Sequence, residues 1–338
     1  MSQVPPQPRR RTDNARLRSR LISDMNLALP ETVSAPGSTI PSASFEPLPP
    51  LFESRSLQKA GTPIGCQRDF LDNRFVYIVI SSRARGKSIG VNLNPDKQCN
   101  FDCVYCEVNR SSPPKETRLD VDVMAEELKK TLALVYSGRI REHPLYQSTP
   151  AELLVLEHVA LSGDGEPTLS PHFTEAAQGV MHVRASGDSP PFKIVLLTNA
   201  TGLDLPAVQE GLKNLTKQDE IWAKLDAGTQ TYMDRVNKPQ ALLEKILSNI
   251  LLVARRRPVV IQSLFPTIDG RPPPDSEIME YATRLQELKA AGAQISLVQI
   301  YSATRPTHRH ECGHLPLRTL RQIARTVREL TGLRAEVF

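Results

Sequence analysis

From Ser88 onward, short apolar runs alternate with longer stretches of helical periodicity. The runs Ile89–Leu93, Val159–Ser162, Ile194–Thr198, Ile221–Leu225, Val259–Leu264 and Ile295–Tyr301 predict strands, and Phe75–Ile80 predicts another before them. Between them, residues 122–136 repeat Met124, Leu128, Leu132 and Val135 and stop at Gly138. Residues 276–291 repeat Ile278, Ala282, Leu285 and Leu288 and stop at Gly292. Residues 316–331 repeat Leu317, Leu320, Ile323, Val327 and Leu330 before Gly332. Helices also fit residues 171–184, 205–214 and 240–256. Six strand-then-helix units in one direction predict an α/β fold with a parallel sheet and helical crossovers. Periodicity suits a doubly wound sheet or an open barrel equally, and both gather ligands at the carboxyl ends of their strands.

Composition sharpens the boundaries. With 40% hydrophobic content, 338 residues support one large domain plus appendages. Residues 1–50 hold nine of the 28 prolines and predict a disordered extension. An organelle transit peptide is the alternative there, but Pro5, Pro6 and Pro8 break the amphipathic helix it needs. Residues 51–88 form a transition and 89–338 the core. No run reaches the ~18 apolar residues of a membrane span, and no apolar signal core opens the chain, so a soluble, cytoplasmic protein without a membrane partner is expected. Five cysteines, an odd and clustered set, argue for a reducing compartment over a disulfide framework. The first 20 residues carry six arginines against Asp13, which accounts for the whole net charge of +5 and leaves a formally neutral body. RNA attraction is therefore expected through the tail.

Candidate chemistry falls at the strand ends. Cys99, Cys103 and Cys106 follow the first strand of the series in a C-x3-C-x2-C loop. Four protein ligands would close a metal site, whereas three thiolates leave a position open. The competing readings are a zinc site completed by a distant histidine, or unrelated buried cysteines. The second strand runs into Ser162-Gly-Asp-Gly165-Glu166-Pro, where glycines admit close backbone approach and Glu166 offers an acceptor. The third ends at Asn199. On the fourth, alternation puts Lys224 and Asp226 on one face, opposite Leu225. Gln262 and Ser263 lie on the fifth strand, and Gln299, Tyr301 and Arg305 close the sixth. Arg305 is a candidate for a ligand carboxylate or phosphate, or caps the strand end.

Two further signals lose weight. Arg85-Gly-Lys87-Ser88 ends like a phosphate-binding loop, but Ser81 replaces the earlier glycine and a strand follows. Arg83, Arg85 and Lys87 are still expected as a basic cluster near the cysteine loop. His308-Arg-His310-Glu-Cys312-Gly-His314 matches no standard metal spacing and reads as a solvated loop or lid; Cys66 is isolated.

The cysteine spacing resembles the cluster motif of the radical S-adenosylmethionine (radical SAM) superfamily. Together with residues 82–95, the Gly165–Glu166 segment and Tyr-Ser-Ala-Thr-Arg-Pro, it looks like a group near the wyosine tRNA-base synthase branch, over residues 75–338. The resemblance implies a partial (β/α)6 TIM-like barrel. It implies a [4Fe-4S] cluster on Cys99, Cys103 and Cys106, with S-adenosyl-L-methionine on its open iron. It implies cofactor binding by Tyr105, Gly165 and Glu166, to which the strand-end positions add Asn199, Lys224, Asp226 and Gln262. Lys224, Asp226 and Arg305 are the catalytic candidates. The implied activity is reductive cleavage of the cofactor to a 5′-deoxyadenosyl radical that abstracts hydrogen from a small-molecule or nucleotide-derived substrate, with an electron donor such as flavodoxin or ferredoxin. The alternatives are an RNA-base-modifying enzyme of the same superfamily and a non-catalytic iron–sulfur redox protein.

Overall fold

A computed structural model describes residues 70–305, 307 and 309–338. The predicted extension over 1–50, the transition segment as far as residue 69, Cys66 and His308 lie outside the described residues.

The main sheet has eight strands. They are β1 (Val76–Ser81), β2 (Gly86–Asn92), β3 (Leu156–Ser162), β4 (Ile194–Thr198), β5 (Glu220–Lys224), β6 (Val259–Leu264), β8 (Ile295–Tyr301) and β10 (Ala335–Val337), in that spatial order. A two-residue pair, β7 (Thr267–Ile268) with β9 (Cys312–Gly313), stands apart from it. β1 and β2 form an antiparallel hairpin, and every later pairing in the main sheet is parallel. Crossovers are made by α1 (Val121–Tyr136), α2 (Phe173–Ala185), α3 (Pro206–Lys213), α4 (Gln230–Val236) with α5 (Leu243–Ala254), α6 (Asp275–Ala290) and α7 (Leu317–Thr331). Local chemistry sets their limits: Asp120 caps α1 by accepting from the Val123 amide at 3.1 Å, Pro206 opens α3, and Gly332 ends α7 at φ 65°.

Alternation along the strands divides the apolar residues into two layers. Ile78, Ile89, Val91, Val159, Leu161, Ile194, Leu196, Ile221, Ile261, Val298 and Ile300 belong to the main core, with the helices packed on that face. The opposite face carries a small separate cluster of Val195, Trp222 and Val260, with Leu197 and Leu297 against it. Towards the carboxyl ends this inner face turns polar, with Ser162, Lys224, Gln262, Gln299 and Tyr301.

Contacts across the inner face show how far the sheet curls. Arg83, in the turn between β1 and β2, places its guanidinium 4.3 Å from the ring centre of Tyr301 on β8. Arg85 in the same turn pairs with Glu336 on β10 at 2.7 Å and lies over Phe338. The two ends of the sheet therefore approach each other around a lumen, joined by side chains. The architecture is a partial α/β barrel, as expected.

The predicted strands at Ile194–Thr198, Val259–Leu264 and Ile295–Tyr301 occur with those limits. The basic cluster expected of Arg83, Arg85 and Lys87 does not form. Arg83 turns inward, Arg85 pairs outward with Glu336, and Lys87 shares the helix-facing side with Ile89 and is fully buried. The pleat alone separates them.

Candidate functional site

The cysteine loop leaves β2 at the carboxyl end of the sheet and lies across the C-terminus of α4. Backbone amides of Asp102 and Val104 donate to the carbonyls of Asn237 and Val236, at 3.0 and 2.8 Å, and the Gln240 amide returns to the Asn100 carbonyl at 3.0 Å. Phe101 and Val104 are buried beneath it, leaving Cys99, Cys103 and Cys106 half-buried on the other side. Each sulfur accepts one N–H. The Phe101 amide donates to Cys99 Sγ at 3.4 Å, Asn237 Nδ2 to Cys103 Sγ at 3.4 Å, and Arg110 Nη1 to Cys106 Sγ at 3.1 Å. Burial pushes the Cys103 thiol up to about 12, against the Asn237 hydrogen bond. A metal that binds it must displace that proton.

The loop after β3 presses on the loop after β2. A Cβ at Gly165 would overlap the carbonyl oxygen of Gln98, next to Cys99, so only glycine permits this approach. Asn92 ties the same two loops: its Oδ1 accepts from the Asp164 amide at 2.9 Å and its Nδ2 donates to the Asp164 carboxylate at 2.9 Å. Glu166 is buried and accepts four hydrogen bonds. Oε1 takes the Thr168 amide at 3.1 Å and the hydroxyls of Thr168 and Thr198 at 2.5 Å, while Oε2 takes the Asn199 amide at 2.6 Å. Burial raises its pKa, partly offset by these donors. Glu166 thus pins the β3 loop to the end of β4 and keeps one free acceptor direction at Oε2. Asn199 holds the cysteine loop from β4, since its Nδ2 donates to Asn100 Oδ1 at 2.9 Å. The turn that follows puts Ala200 at φ 69°, a left-handed conformation held by Asn249 Nδ2 on the Ala200 and Thr201 carbonyls.

Lys224 and Asp226 meet as the alternation predicts, with Nζ 3.5 Å from Oδ1. Burial opposes the Lys224 charge, but Asp226 beside it raises its pKa above the ordinary value, so Lys224 is a fixed cation and no base at neutral pH. Its ammonium lies 4.8 Å from the ring centre of Tyr105 and donates to the Tyr301 hydroxyl at 3.2 Å. Asp226 is buried and collects the Tyr105 hydroxyl, Asn237 Nδ2 at 2.8 Å and the Leu264 amide at 2.8 Å. Gln262 Nε2 donates to Gln299 Oε1 at 2.8 Å, a satisfied pair on the lumen wall. Arg305, on the segment after β8, pairs with Glu107 at 2.8 Å, one residue past Cys106. Further along that segment Arg309 pairs with Asp102, and Glu311 lies 3.9 Å from Lys238. The connection read from sequence as a solvated loop or lid is strapped to the cysteine loop.

No family model matches the chain. Over 182 residues it is 32% identical to the UPF0026 protein of Helicobacter pylori, covering 52% of this chain and 50% of that protein. It is 28% identical over 153 residues to the S-adenosyl-L-methionine-dependent tRNA 4-demethylwyosine synthase of Saccharomyces cerevisiae, covering 44% and 17%. The chain spans about half the length of the UPF0026 relatives it matches. Among solved structures, a radical SAM methyltransferase from Sphaerobacter thermophilus aligns with TM-score 0.53 at 15% identity, over 78% of this chain and 68% of that one. SuiB of Streptococcus suis, bound to its precursor peptide SuiA, aligns at 0.50 and 13% identity, over 72% and 47%. These two share the fold, and the cysteine and Gly165–Glu166 loops stand together at its carboxyl end. The chain belongs to the radical SAM superfamily. Its place is near the wyosine synthase branch.

The donor set suits the superfamily's cluster better than a single ion. Among the described residues no three His, Cys, Asp or Glu side chains converge on one metal. A cubane takes each thiolate on a different iron, so three separated sulfurs on one loop fit it, whereas zinc needs convergence. No metal site forms at His310, Cys312 and His314 among the described residues either. Sequence reasoning missed Arg110, Asn237, Asn100 and Thr198. Of these only Arg110 carried a signal, a lone arginine four residues past Cys106; the others become neighbours of the site only through folding.

Proposed function

We propose that the protein is a radical SAM enzyme that holds a [4Fe-4S] cluster on Cys99, Cys103 and Cys106. The observation that carries this reading is the contact of Gly165 with Gln98, which seats the Glu166 loop directly against the cysteine loop. When bound, the cluster supplies the electron that cleaves S-adenosylmethionine to methionine and a 5′-deoxyadenosyl radical able to take hydrogen from a substrate. The chain's own residues bind and orient. Glu166 has its open Oε2 acceptor for the cofactor's ammonium, and the Asp226–Tyr105–Lys224 group fixes a positive charge at the mouth of the lumen. The strap from Arg305 to Glu311 covers the cysteine loop and limits water at the cluster.

Anaerobic reconstitution with iron, sulfide, S-adenosylmethionine and dithionite tests the reading. 5′-Deoxyadenosine is expected in the wild type and lost in Cys103→Ala; equal amounts in both would sink it and favour a non-catalytic iron–sulfur protein. A tRNA or other RNA base is the second reading for the substrate. It is supported by the similarity to the yeast tRNA 4-demethylwyosine synthase and by the arginines of residues 1–20.

A further inference from the structure

We infer that the lumen seats a carboxylate group of the substrate on Arg83. This rests on the proposed function for the word substrate, but the binding site stands on its own observations.

The first is a charge without a partner. Around the seam between the β1–β2 turn and β8, Lys224 is paired with Asp226, Arg305 with Glu107 and Arg85 with Glu336. Arg83 has no carboxylate among the described residues. Its guanidinium lies on the Tyr301 ring, and its Nε is buried with no hydrogen-bond partner. A buried, unmatched guanidinium is unfavourable unless an anion completes it. Nε is one prong of the side-on fork with which arginine grips a carboxylate in two parallel hydrogen bonds.

The second is a cavity at that atom. Ser82, Arg83, Tyr105, Tyr301, Thr304 and Arg305 line a space of about 60 Å³. At about 30 Å³ for each water, it takes two, the room needed by the two oxygens of a carboxylate and too little for a sugar phosphate. Ser82 and Thr304 bring hydroxyls to the same wall. Tyr105 is also part of that wall and immediately precedes Cys106. A substrate anchored there by its acid end has its next carbons on the side of the cluster loop.

The third is what the cavity is not. The cofactor's own carboxylate belongs to the methionine end, whose acceptor, Glu166, lies between β3 and β4. Arg83 comes from the turn that reaches β8, on the other side of the lumen.

The test is acetate binding to the full-length, cluster-reconstituted protein by saturation-transfer NMR at constant ionic strength. Saturable binding is expected. It should weaken at least tenfold in Arg83→Gln, fall by an intermediate factor in Arg83→Lys, and stay within twofold in Arg85→Gln. Inorganic phosphate should compete poorly, and saturating S-adenosylmethionine should leave acetate bound. Arg83→Lys keeps the charge and the packing stem, so the result does not depend on Arg83→Gln folding normally. The assignment is overturned by absent binding, by equal loss in Arg85→Gln, by phosphate competing as well as acetate, or by displacement with S-adenosylmethionine. Acetate binding needs no turnover, so a protein that binds it yet makes no 5′-deoxyadenosine would refute the proposed function and leave this site standing.

Discussion

Arg110 is exposed along much of its length, yet its guanidinium joins three parts of the site. It donates to Cys106 Sγ at 3.1 Å, to the Lys97 carbonyl at 3.2 Å and to the Asp164 carbonyl at 3.1 Å. Hydrogen bonds to cluster sulfurs stabilise the more negative, reduced state, and a charged donor does so most. Arg110→Met is expected to lower the midpoint potential of the reconstituted cluster by about 30–60 mV, where 59 mV is a tenfold change for one electron. Arg110→Lys should lie between. An EPR-monitored redox titration measures this, and an unchanged potential in Arg110→Met would remove Arg110 from any tuning role. At this scale the sequence was legible where chemistry is concentrated in one short run. Cys99, Cys103, Cys106, Gly165 and Glu166 could be named because their spacing carries meaning. Asn237 could not, because its contact with Cys103 depends on how α4 ends.

Among the elements, β2 holds the least expected residue. Lys87 is fully buried on the helix-facing side, its Nζ has no hydrogen-bond partner, and burial, with Arg141 nearby, lowers its pKa to about 8. In the unfolded chain the same amine titrates near 10.5, so between these values the unfolded state binds more protons and stability rises with pH. Below pH 8 the full penalty applies. Lys87→Met is expected to gain about 1–3 kcal/mol at pH 7 and to lose the stability rise between pH 8 and 10.5. Urea unfolding across that range checks both; a destabilised variant would mean that the ammonium has a role the fold depends on. The strands themselves were legible where apolar runs are unbroken, as in Ile295–Tyr301. The start of β3 was missed because Glu157 and His158 interrupt the pattern. His158 turns to the inner face, hydrogen-bonded to Ser88 at 2.8 Å and edge-on to Trp222. The short α4 and β10 give too few residues for a period to emerge.

At the scale of the whole molecule, periodicity showed a parallel α/β sheet but left its closure open. Closure depends on contacts between the two ends of the sheet, which no local pattern contains. The charge distribution was legible at once. The net charge of +5 lies entirely in the first 20 residues, and none of the described helices is long and apolar enough to cross a membrane. If tRNA is the substrate, removing residues 1–50 is expected to weaken tRNA binding at least tenfold at low salt and to flatten its salt dependence, with 5′-deoxyadenosine formation retained. A gel-shift series in rising salt measures this; unchanged binding would locate the RNA contact on the neutral body.

The side-chain seam has a consequence for the girth of the barrel. Elsewhere around the sheet, widening the lumen means breaking a ladder of backbone hydrogen bonds, and several must fail together. Between the β1–β2 turn and β8–β10 it means parting Arg85 from Glu336 and sliding Arg83 off Tyr301, and an exposed ion pair contributes only about 0–1 kcal/mol. The ring therefore has a clasp. Through it, a guest wider than the resting lumen can be admitted from the side, with every strand still paired to its neighbours.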